Sequence, residues 1–358
     1  MAGLWQKKDN ESKMRYIIID NHQGIGDIVH MLPLIENIRA SYSKAYVTMI
    51  IKFAGECKLI APGLIDEFII WKEINIKEIQ RLRARHYDLA YLNVITNYYK
   101  GILYLKFVIG ADKVVSEFWF SKISKHYLFI KRKSCLHRVT RNNRLSKVSS
   151  LKRRYEKPDL CGALFAVYNN NFIEDARSNF KSCKIIGICM GSATTEAKKG
   201  LRRIQKNVKQ WPVENIHALC TKLAEHNYDV VILGGTEQKY ISNVNISNNI
   251  KEYIHDYIDK CSLAESMQLI SLCNICVGVD TGLMHMAAAL DVPTITLFGP
   301  TDPKEFAPYS CKNVNITLNF PCQYCYGKPT MYDCQSNECM KKISVEEVFK
   351  KIMERLGD

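Results

Sequence analysis

The feature that most constrains the fold is a short apolar run that ends in a glycine-containing turn and continues into a helix. It occurs first over residues 16–20, where Tyr-Ile-Ile-Ile-Asp precedes the turn 24–27 and a helical pattern over 28–40. It occurs again over residues 274–279, which lead into the turn 280–282. Strand, turn and helix in this order build parallel sheets with crossover helices. The sequence therefore predicts an α/β fold.

Similar patterns fill both halves of the 358-residue chain, which is too long for one comfortable hydrophobic core. Further strands are predicted at 45–51, 88–94, 184–189, 228–233 and 293–298, and further helices at 212–226, 262–273, 283–290 and 344–356. We predict an N-terminal domain over 1–165, a C-terminal domain over 166–342 and a terminal helix over 343–358. The amphipathic pattern of that helix would let it pack back across the domains.

The location indicated by the composition is the cytoplasm. The N-terminal residues 1–13 are polar and lack the apolar core of a signal peptide. The most apolar stretch, 89–111, contains Asn93 and Lys100, which favours a buried strand and an amphipathic helix over a membrane span. Without a secretory signal, the 14 cysteines are expected to be thiols.

Positive charge is concentrated in residues 131–154, which contain ten Lys or Arg and no Asp or Glu, in a chain of formal net charge +14. Such a run is typical of a solvated loop or linker, and it can also attract an anionic membrane surface or a phosphorylated glycolipid. It lacks the interleaved aromatic residues of a single-strand binder, so we expect no nucleic-acid partner.

The turn at 24–27 (Gly-Ile-Gly-Asp) is a candidate catalytic element, because open α/β sheets bind ligands where their strands end. It is not a dinucleotide fingerprint: Val29 replaces the third glycine, and the Asp27 carboxylate would repel a pyrophosphate. Two interpretations of Asp27 remain open. It either caps a helix that begins at Ile28 or acts as a general base.

The second turn, Asp280-Thr281-Gly282, is a candidate diphosphate site, since a helix N-terminus offers unpaired N–H groups and partial positive charge. His285 lies one helical turn further on and either faces the same ligand or is structural.

Two upstream elements are candidates for contacts with the same ligand. The hydroxyl-rich loop 191–195 includes Thr194 and Thr195, and its composition suits a phosphate-binding loop. Basic residues follow, and they either form a surface loop or let Lys209 reach a diphosphate. The chain contains no Asp-X-Asp motif, so we expect protein cations rather than a catalytic metal to stabilise the leaving group.

Four cysteines fall within eighteen residues rich in turn formers: Cys322, Cys325, Cys334 and Cys339. Their spacing is compatible with a structural zinc site. The alternative is free or redox-active thiols.

Several segments together resemble glycosyltransferase family 9, the lipopolysaccharide heptosyltransferases. The matching segments are 26–33, 87–89, 209–212, 279–290 and 293–303. The resemblance implies a GT-B fold of two facing Rossmann-like domains with a deep interdomain cleft, the first domain holding the acceptor and the second ADP-heptose. It also implies an inverting transfer that needs no metal.

The resemblance further assigns roles to particular residues. Asp27 matches the catalytic base. Asp280, Thr281, Gly282 and His285 match the donor-binding loop, Lys209 the diphosphate lysine, Thr194 and Thr195 the hydroxyl loop, and Glu237 the carboxylate on the ribose. One departure is that residues 196–208 are longer and more basic than the usual link to the Lys-X-Trp-Pro element.

The function implied is transfer of a heptose or related sugar from ADP-heptose to a hydroxyl of the lipid-linked lipopolysaccharide or lipooligosaccharide inner core. The enzyme would work in the cytoplasm, peripherally on the inner face of the inner membrane. The alternatives are a family member with another nucleotide sugar or acceptor, a sugar-nucleotide epimerase of the same fold, and a catalytically silent scaffold.

Overall fold

The computed structural model describes most of the chain: residues 14–20, 24–51, 63–93, 98–116, 127–129, 136–148, 151, 170–191, 195–199, 202–206, 208–242 and 247–357. The chain divides into two compact units, Met1–Asp159 and Leu160–Asp358. The predicted boundary at 165 lies outside the described residues.

The first unit is built on a six-stranded sheet of order β3-β2-β1-β4-β5-β6, and every neighbouring pair is parallel. Its strands are β1 Arg15–Asp20, β2 Tyr46–Ile51, β3 Glu67–Ile70, β4 Leu89–Asn93, β5 Lys113–Ser116 and β6 Tyr127–Phe129. Its helices are α1 Ile25–Ser41, α2 Ile76–Arg85, α3 Tyr98–Leu103 with a π-helical continuation Tyr104–Ile109, α4 Arg138–Asn143 and α5 Leu145–Val148. The strand order reverses between β1 and β4, where open α/β sheets bind ligands.

Helix α1 begins at Ile25, three residues before the predicted start at Ile28. Gly24 is extended, and its backbone N–H donates to Asp27 Oδ2 at 3.1 Å. Asp27 therefore caps the helix from its third position rather than preceding it. The prediction that Asp27 is the N-cap of a helix beginning at Ile28 is therefore wrong, because the N-cap residue is Gly24 and Asp27 lies at the third helical position.

Part of the basic run is folded structure, which corrects the expectation of a solvated loop for residues 136–148. Helices α4 and α5 pack on α1. Asn37 of α1 donates to Asn143 Oδ1 and, at 3.2 Å, to Ser146 Oγ, and all three side chains are buried. Arg141, one of the ten cations, is only 3% exposed. The clusters 131–135 and 152–154 lie outside the described residues.

The second unit has a six-stranded sheet of order β11-β10-β7-β12-β13-β14, again parallel throughout. Its strands are β7 Ile185–Cys189, the hairpin strands β8 Thr195–Lys199 and β9 Arg202–Lys206, β10 Asp229–Ile232, β11 Ile254–Asp256, β12 Ile275–Val279, β13 Thr294–Phe298 and β14 Asn313–Thr317. Its helices are α6 Asn170–Asn179, α7 Val213–Glu225, α8 Leu263–Leu272, α9 Gly282–Ala289, α10 Pro303–Phe306, α11 Pro329–Tyr332, α12 Glu338–Lys341 and α13 Val345–Leu356. The central pair β7 and β12 is the switch point of this sheet.

Helix α13 packs on the second unit itself. Its Val348 and Ile352 are buried in one core with Trp211, whose indole N–H donates to the Ile343 carbonyl at 3.0 Å. Ser344 caps the helix by accepting from the Glu347 backbone N–H at 3.2 Å, as its sequence predicts. Packing of this helix across the domains stays a prediction.

Buried thiols pack against strand β7 in the second unit. A Cβ placed on Gly187 of β7 would lie 2.7 Å from Cys276 Sγ and 3.0 Å from Cys273 Sγ, so only glycine fits there. A hydrogen bond with Cys276 and burial raise the pKa of the Cys189 thiol well above its usual value. Every cysteine within the described ranges is a free thiol, in agreement with the composition.

The apolar stretch predicted as a strand and an amphipathic helix forms β4 and α3, which confirms that interpretation. Within the described residues, no helix has the length and apolarity needed to span a membrane.

Candidate functional site

The switch point of the second unit brings together the two loops that the sequence singled out. The loop after β7 begins at Met190 and continues through Gly191, and the loop after the adjacent β12 begins at Asp280. A Cβ on Gly191 would lie 2.1 Å from Gln238 Cγ, so the backbone there runs directly against Gln238. Gln238 also accepts from the Gly235 N–H at 2.9 Å. It is a supporting residue that the sequence analysis missed.

Three of the predicted site residues form one ionic cluster. Lys209 Nζ donates to Asp280 Oδ2 at 2.7 Å, and His285 Nε2 lies 3.4 Å from Asp280 Oδ1. Asp280 is 6% exposed and Lys209 17% exposed. Burial alone would raise the pKa of Asp280, but the Lys209 ammonium and His285 outweigh it and hold that pKa well below its usual range. Asp280 is therefore an anion that orients two potential ligand-binding groups.

The same cluster stands at the start of helix α9. Thr281 is the extended N-cap residue and Gly282 is the first helical residue. The Thr281 side chain makes no capping hydrogen bond within the described structure. A helix N-terminus presents backbone N–H groups and partial positive charge, so this end of α9 suits an anionic ligand such as a diphosphate.

An aromatic residue completes the surroundings of Lys209. The Lys209 ammonium lies 4.4 Å from the centre of the Tyr326 ring. Tyr326 lies 117 positions further along the chain, in the cysteine-rich segment, which is residues 322–339. No local sequence pattern signals this contact, and the sequence analysis missed it.

The structure describes only some of the remaining residues that were predicted to bind the donor. Glu237 is exposed on the short 3-10 helix Thr236–Ile241, which follows β10 beside β7. Thr195 is the first residue of β8. Thr194 and the side chain of Thr195 lie outside the described residues. The basic segment after them forms the hairpin β8–β9 rather than an irregular loop.

In the first unit, the Asp27 carboxylate has two partners. Oδ2 accepts from Gly24, as described above, and Oδ1 accepts from Arg138 Nη1 in a half-buried ion pair. Arg138 lies at the start of α4, within the basic run. Arg138 could not be predicted as a site residue because nothing local in the sequence distinguishes it from the other cations of the basic run.

The four cysteines do not form a metal centre in the described structure. Among the described residues, no three His, Cys, Asp or Glu side chains are grouped to hold one metal ion. Burial, reinforced by the neighbouring thiols, raises the pKa of Cys339 to about 11. Of the two interpretations of these cysteines, the structural zinc is not supported, and all four are free thiols in the described structure.

Two Rossmann-like units, each built on a parallel six-stranded sheet, define the GT-B class of α/β folds. Residues 76–335 match the model for glycosyltransferase family 9 (heptosyltransferase), and the chain belongs to that family.

Curated relatives match over part of their length. The chain is 32% identical to lipopolysaccharide heptosyltransferase 1 of Pseudomonas aeruginosa over 124 residues, which is 35% of this chain and 34% of that protein. It is 31% identical to lipooligosaccharide heptosyltransferase 2 of Haemophilus influenzae over 137 residues, 37% of this chain and 36% of that protein. The match thus spans about a third of each relative.

Solved structures resemble the fold over nearly the whole chain. Escherichia coli ADP-heptose lipopolysaccharide heptosyltransferase II superposes with a TM-score of 0.72 at 20% identity, covering 96% of this chain and 98% of that one. A family 9 glycosyltransferase from Veillonella parvula gives a TM-score of 0.74 at 19% identity, covering 97% and 98%. These likenesses establish the GT-B fold.

Proposed function

We propose that the protein transfers a heptose or related sugar from ADP-heptose to a hydroxyl group of the lipopolysaccharide or lipooligosaccharide inner core. The observation that carries this proposal is the cluster of Lys209, Asp280 and His285 at the N-terminus of α9, in a chain of this family. Further support comes from the E. coli heptosyltransferase WaaC, a structural neighbour solved with ADP and with ADP-2-deoxy-2-fluoro heptose.

On the donor side, the diphosphate would lie against the first turn of α9 and the Lys209 ammonium. Both groups oppose the negative charge that grows on ADP as the bond to the sugar breaks. Because the Asp280 carboxylate already holds Lys209 in place, little reorganisation would be needed when the donor arrives. Thr194, Thr195 and Glu237 are proposed to contact the phosphates and the ribose.

On the acceptor side, Asp27 is the proposed general base. In a single displacement, its carboxylate takes the proton of the acceptor hydroxyl while the oxygen bonds to the anomeric carbon. The bond from that carbon to the diphosphate breaks, and its electron pair leaves on ADP, so the anomeric configuration inverts. Since Arg138 occupies Asp27 Oδ1, the hydroxyl must share or displace that ion pair. No metal is required, because Lys209 and α9 supply the positive charge.

The acceptor is proposed to be lipid-linked and presented at the inner face of the cytoplasmic membrane. The cations at 131–133 and 152–154 flank the folded helices α4 and α5 in sequence and are the candidates for contacts with anionic lipid.

The test of the donor is a panel of nucleotide sugars, scored by the rise in melting temperature, followed by transfer to an inner-core acceptor with the best ligand. We expect ADP-heptose to raise the melting temperature most and to yield glycosylated acceptor. A larger rise with another nucleotide sugar would contradict the donor. Conversion of the sugar without any acceptor product would instead identify an epimerase.

The test of the base is Asp27→Asn, with turnover and ADP affinity measured separately. We expect at least a hundredfold loss of turnover with ADP affinity unchanged. Glu265→Gln is the matched control, because Glu265 makes the same capping contact to Ser262 N–H at 2.8 Å in α8. Activity of Asp27→Asn within about tenfold of the wild type would remove Asp27 as the base.

A further inference from the structure

The cysteine-rich segment has no role in the proposed reaction. It is hydrogen-bonded to the loop that follows β13. The backbone N–H of Tyr324 donates to the Gly299 carbonyl at 3.2 Å, and that of Tyr326 donates to the Pro300 carbonyl at 2.8 Å. Strand β13 is the neighbour of β12, which ends at the Asp280 loop. The segment therefore lies at the same edge of the sheet as the donor cluster.

The backbone at Tyr324 makes a sharp and costly turn. Its φ of 62° is in the left-handed region, which is unfavourable for a residue with a bulky side chain. Nearby contacts maintain the turn: the Tyr324 hydroxyl lies 3.3 Å from Thr317 Oγ1, and Gln323 Nε2 donates to the Phe298 carbonyl at 3.4 Å. This conformation carries the chain from the edge of the sheet back toward Lys209. Strain maintained in this way is common beside functional sites.

The result of the turn is the placement of the Tyr326 ring. The ring faces the Lys209 ammonium at 4.4 Å, and Phe306 of α10 meets it edge-on at 6.4 Å. The ammonium thus contacts both the Asp280 carboxylate and an aromatic face. An aromatic face attracts a cation without carrying a full charge, so it does not repel an incoming diphosphate as a second carboxylate would.

We propose that Tyr326 is a positioning residue that holds the Lys209 ammonium at the donor site, and that the four-cysteine segment is thereby a wall of that site. This inference rests on the proposed function, since Lys209 is taken to bind the diphosphate. When the diphosphate competes with Asp280 for the ammonium, the ring keeps the cation in the position that both anions share.

The test is ADP binding measured by calorimetry for Tyr326→Phe and Tyr326→Leu, each in the wild type and in a Lys209→Ala background. Phenylalanine keeps the aromatic face and should bind ADP within about twofold of the wild type. Leucine removes it and should raise the dissociation constant roughly three- to tenfold. In the Lys209→Ala background, the same leucine substitution should have no effect. Tyr253→Leu is the matched control, a half-buried tyrosine that precedes β11 at the opposite edge of the sheet.

The proposal is overturned if Tyr326→Leu binds ADP as tightly as the wild type, or if it weakens binding equally with and without Lys209. If the wild type binds no ADP, the proposed function has failed, and urea denaturation decides the placement alone. The losses of unfolding free energy in Tyr326→Leu and Lys209→Ala are then compared with the loss in the double variant. If the double variant loses the sum of the two single losses, the placement is overturned. If it loses less than the sum, the placement is supported.

Discussion

Replacement of Lys209 by methionine should destabilise the second unit in a manner that depends on pH. Methionine keeps the apolar stem of the side chain but removes the cation, so the Asp280 carboxylate, which is 6% exposed, is left beside His285. Burial would then raise the pKa of Asp280, because the principal group that opposes it has been removed.

The magnitude follows from the geometry. At 2.7 Å and an effective permittivity of about 20, the attraction between the two charges is about 6 kcal/mol before desolvation is subtracted. Breaking a buried pair from one side costs about 3–5 kcal/mol. Since Lys209 is partly exposed and His285 stays beside the carboxylate, we expect a loss of about 2–3 kcal/mol at pH 7.

The direction of the pH dependence distinguishes loss of the Lys209–Asp280 ion pair from loss of side-chain packing. In the wild type, the depressed pKa of Asp280 contributes stability above the ordinary aspartate pKa of about 3.9, and this contribution is lost as the pH falls through the folded-state value. In the variant, folding favours the protonated carboxyl. The difference in unfolding free energy between the two proteins should therefore be largest near pH 7 and smaller at about pH 4, where the carboxyl of the variant is protonated. It should vanish only when the pH falls below the depressed wild-type pKa of Asp280.

The measurement is urea denaturation of wild type, Lys209→Met, Asp280→Asn and the double variant at several pH values. A His285→Gln background removes the titration of the ring from the comparison. The double variant should be less destabilised than the sum of the single variants, because it has no uncompensated charge. A deficit that is the same at pH 7 and pH 4, or below about 0.5 kcal/mol at pH 7, would refute the reasoning.

Three other predictions concern different parts of the molecule. Asn143→Leu should lower the unfolding free energy by about 1–3 kcal/mol, because it leaves Asn37 buried with fewer partners, and unchanged stability in urea would contradict this. EDTA should leave transfer activity within about twofold, whereas a complete loss restored by Mg²⁺ or Mn²⁺ would exclude the metal-free mechanism. Changing Lys152, Arg153 and Arg154 to glutamine should weaken cosedimentation with anionic vesicles at low salt, and equal binding by both proteins would mean that these cations are only a solvated linker.

The central strands could be predicted from sequence because parallel strands buried on both faces are continuous apolar runs. Strands β1, β7 and β12 each lie within one residue of their predicted limits. The outer strands β3 and β14 were missed because they are only partly buried and have no such run. Strands β5, β6 and β11, of three or four residues each, were missed as well.

In the site, too, contacts between residues close in sequence could be predicted, whereas contacts between distant residues could not. Asp280 and His285 could be predicted together because they share one strand-to-helix turn. The ion pair of Arg138 with Asp27 joins residues 111 positions apart, and it depends on the packing of α4 against α1. Local periodicity carries no information about such a contact, so the basic run was interpreted by its charge alone.

The distribution of buried thiols has a practical consequence. The buried cysteines of the described residues all belong to the second unit: Cys189, Cys220, Cys273, Cys276 and Cys339. A thiol reagent reaches them only when that unit opens, so their labelling rate reports local unfolding of the second unit apart from the first. With the other nine of the 14 cysteines replaced by serine, the five buried thiols would report opening of the second unit. If the proposed donor binds there, ADP should slow their labelling as its concentration rises.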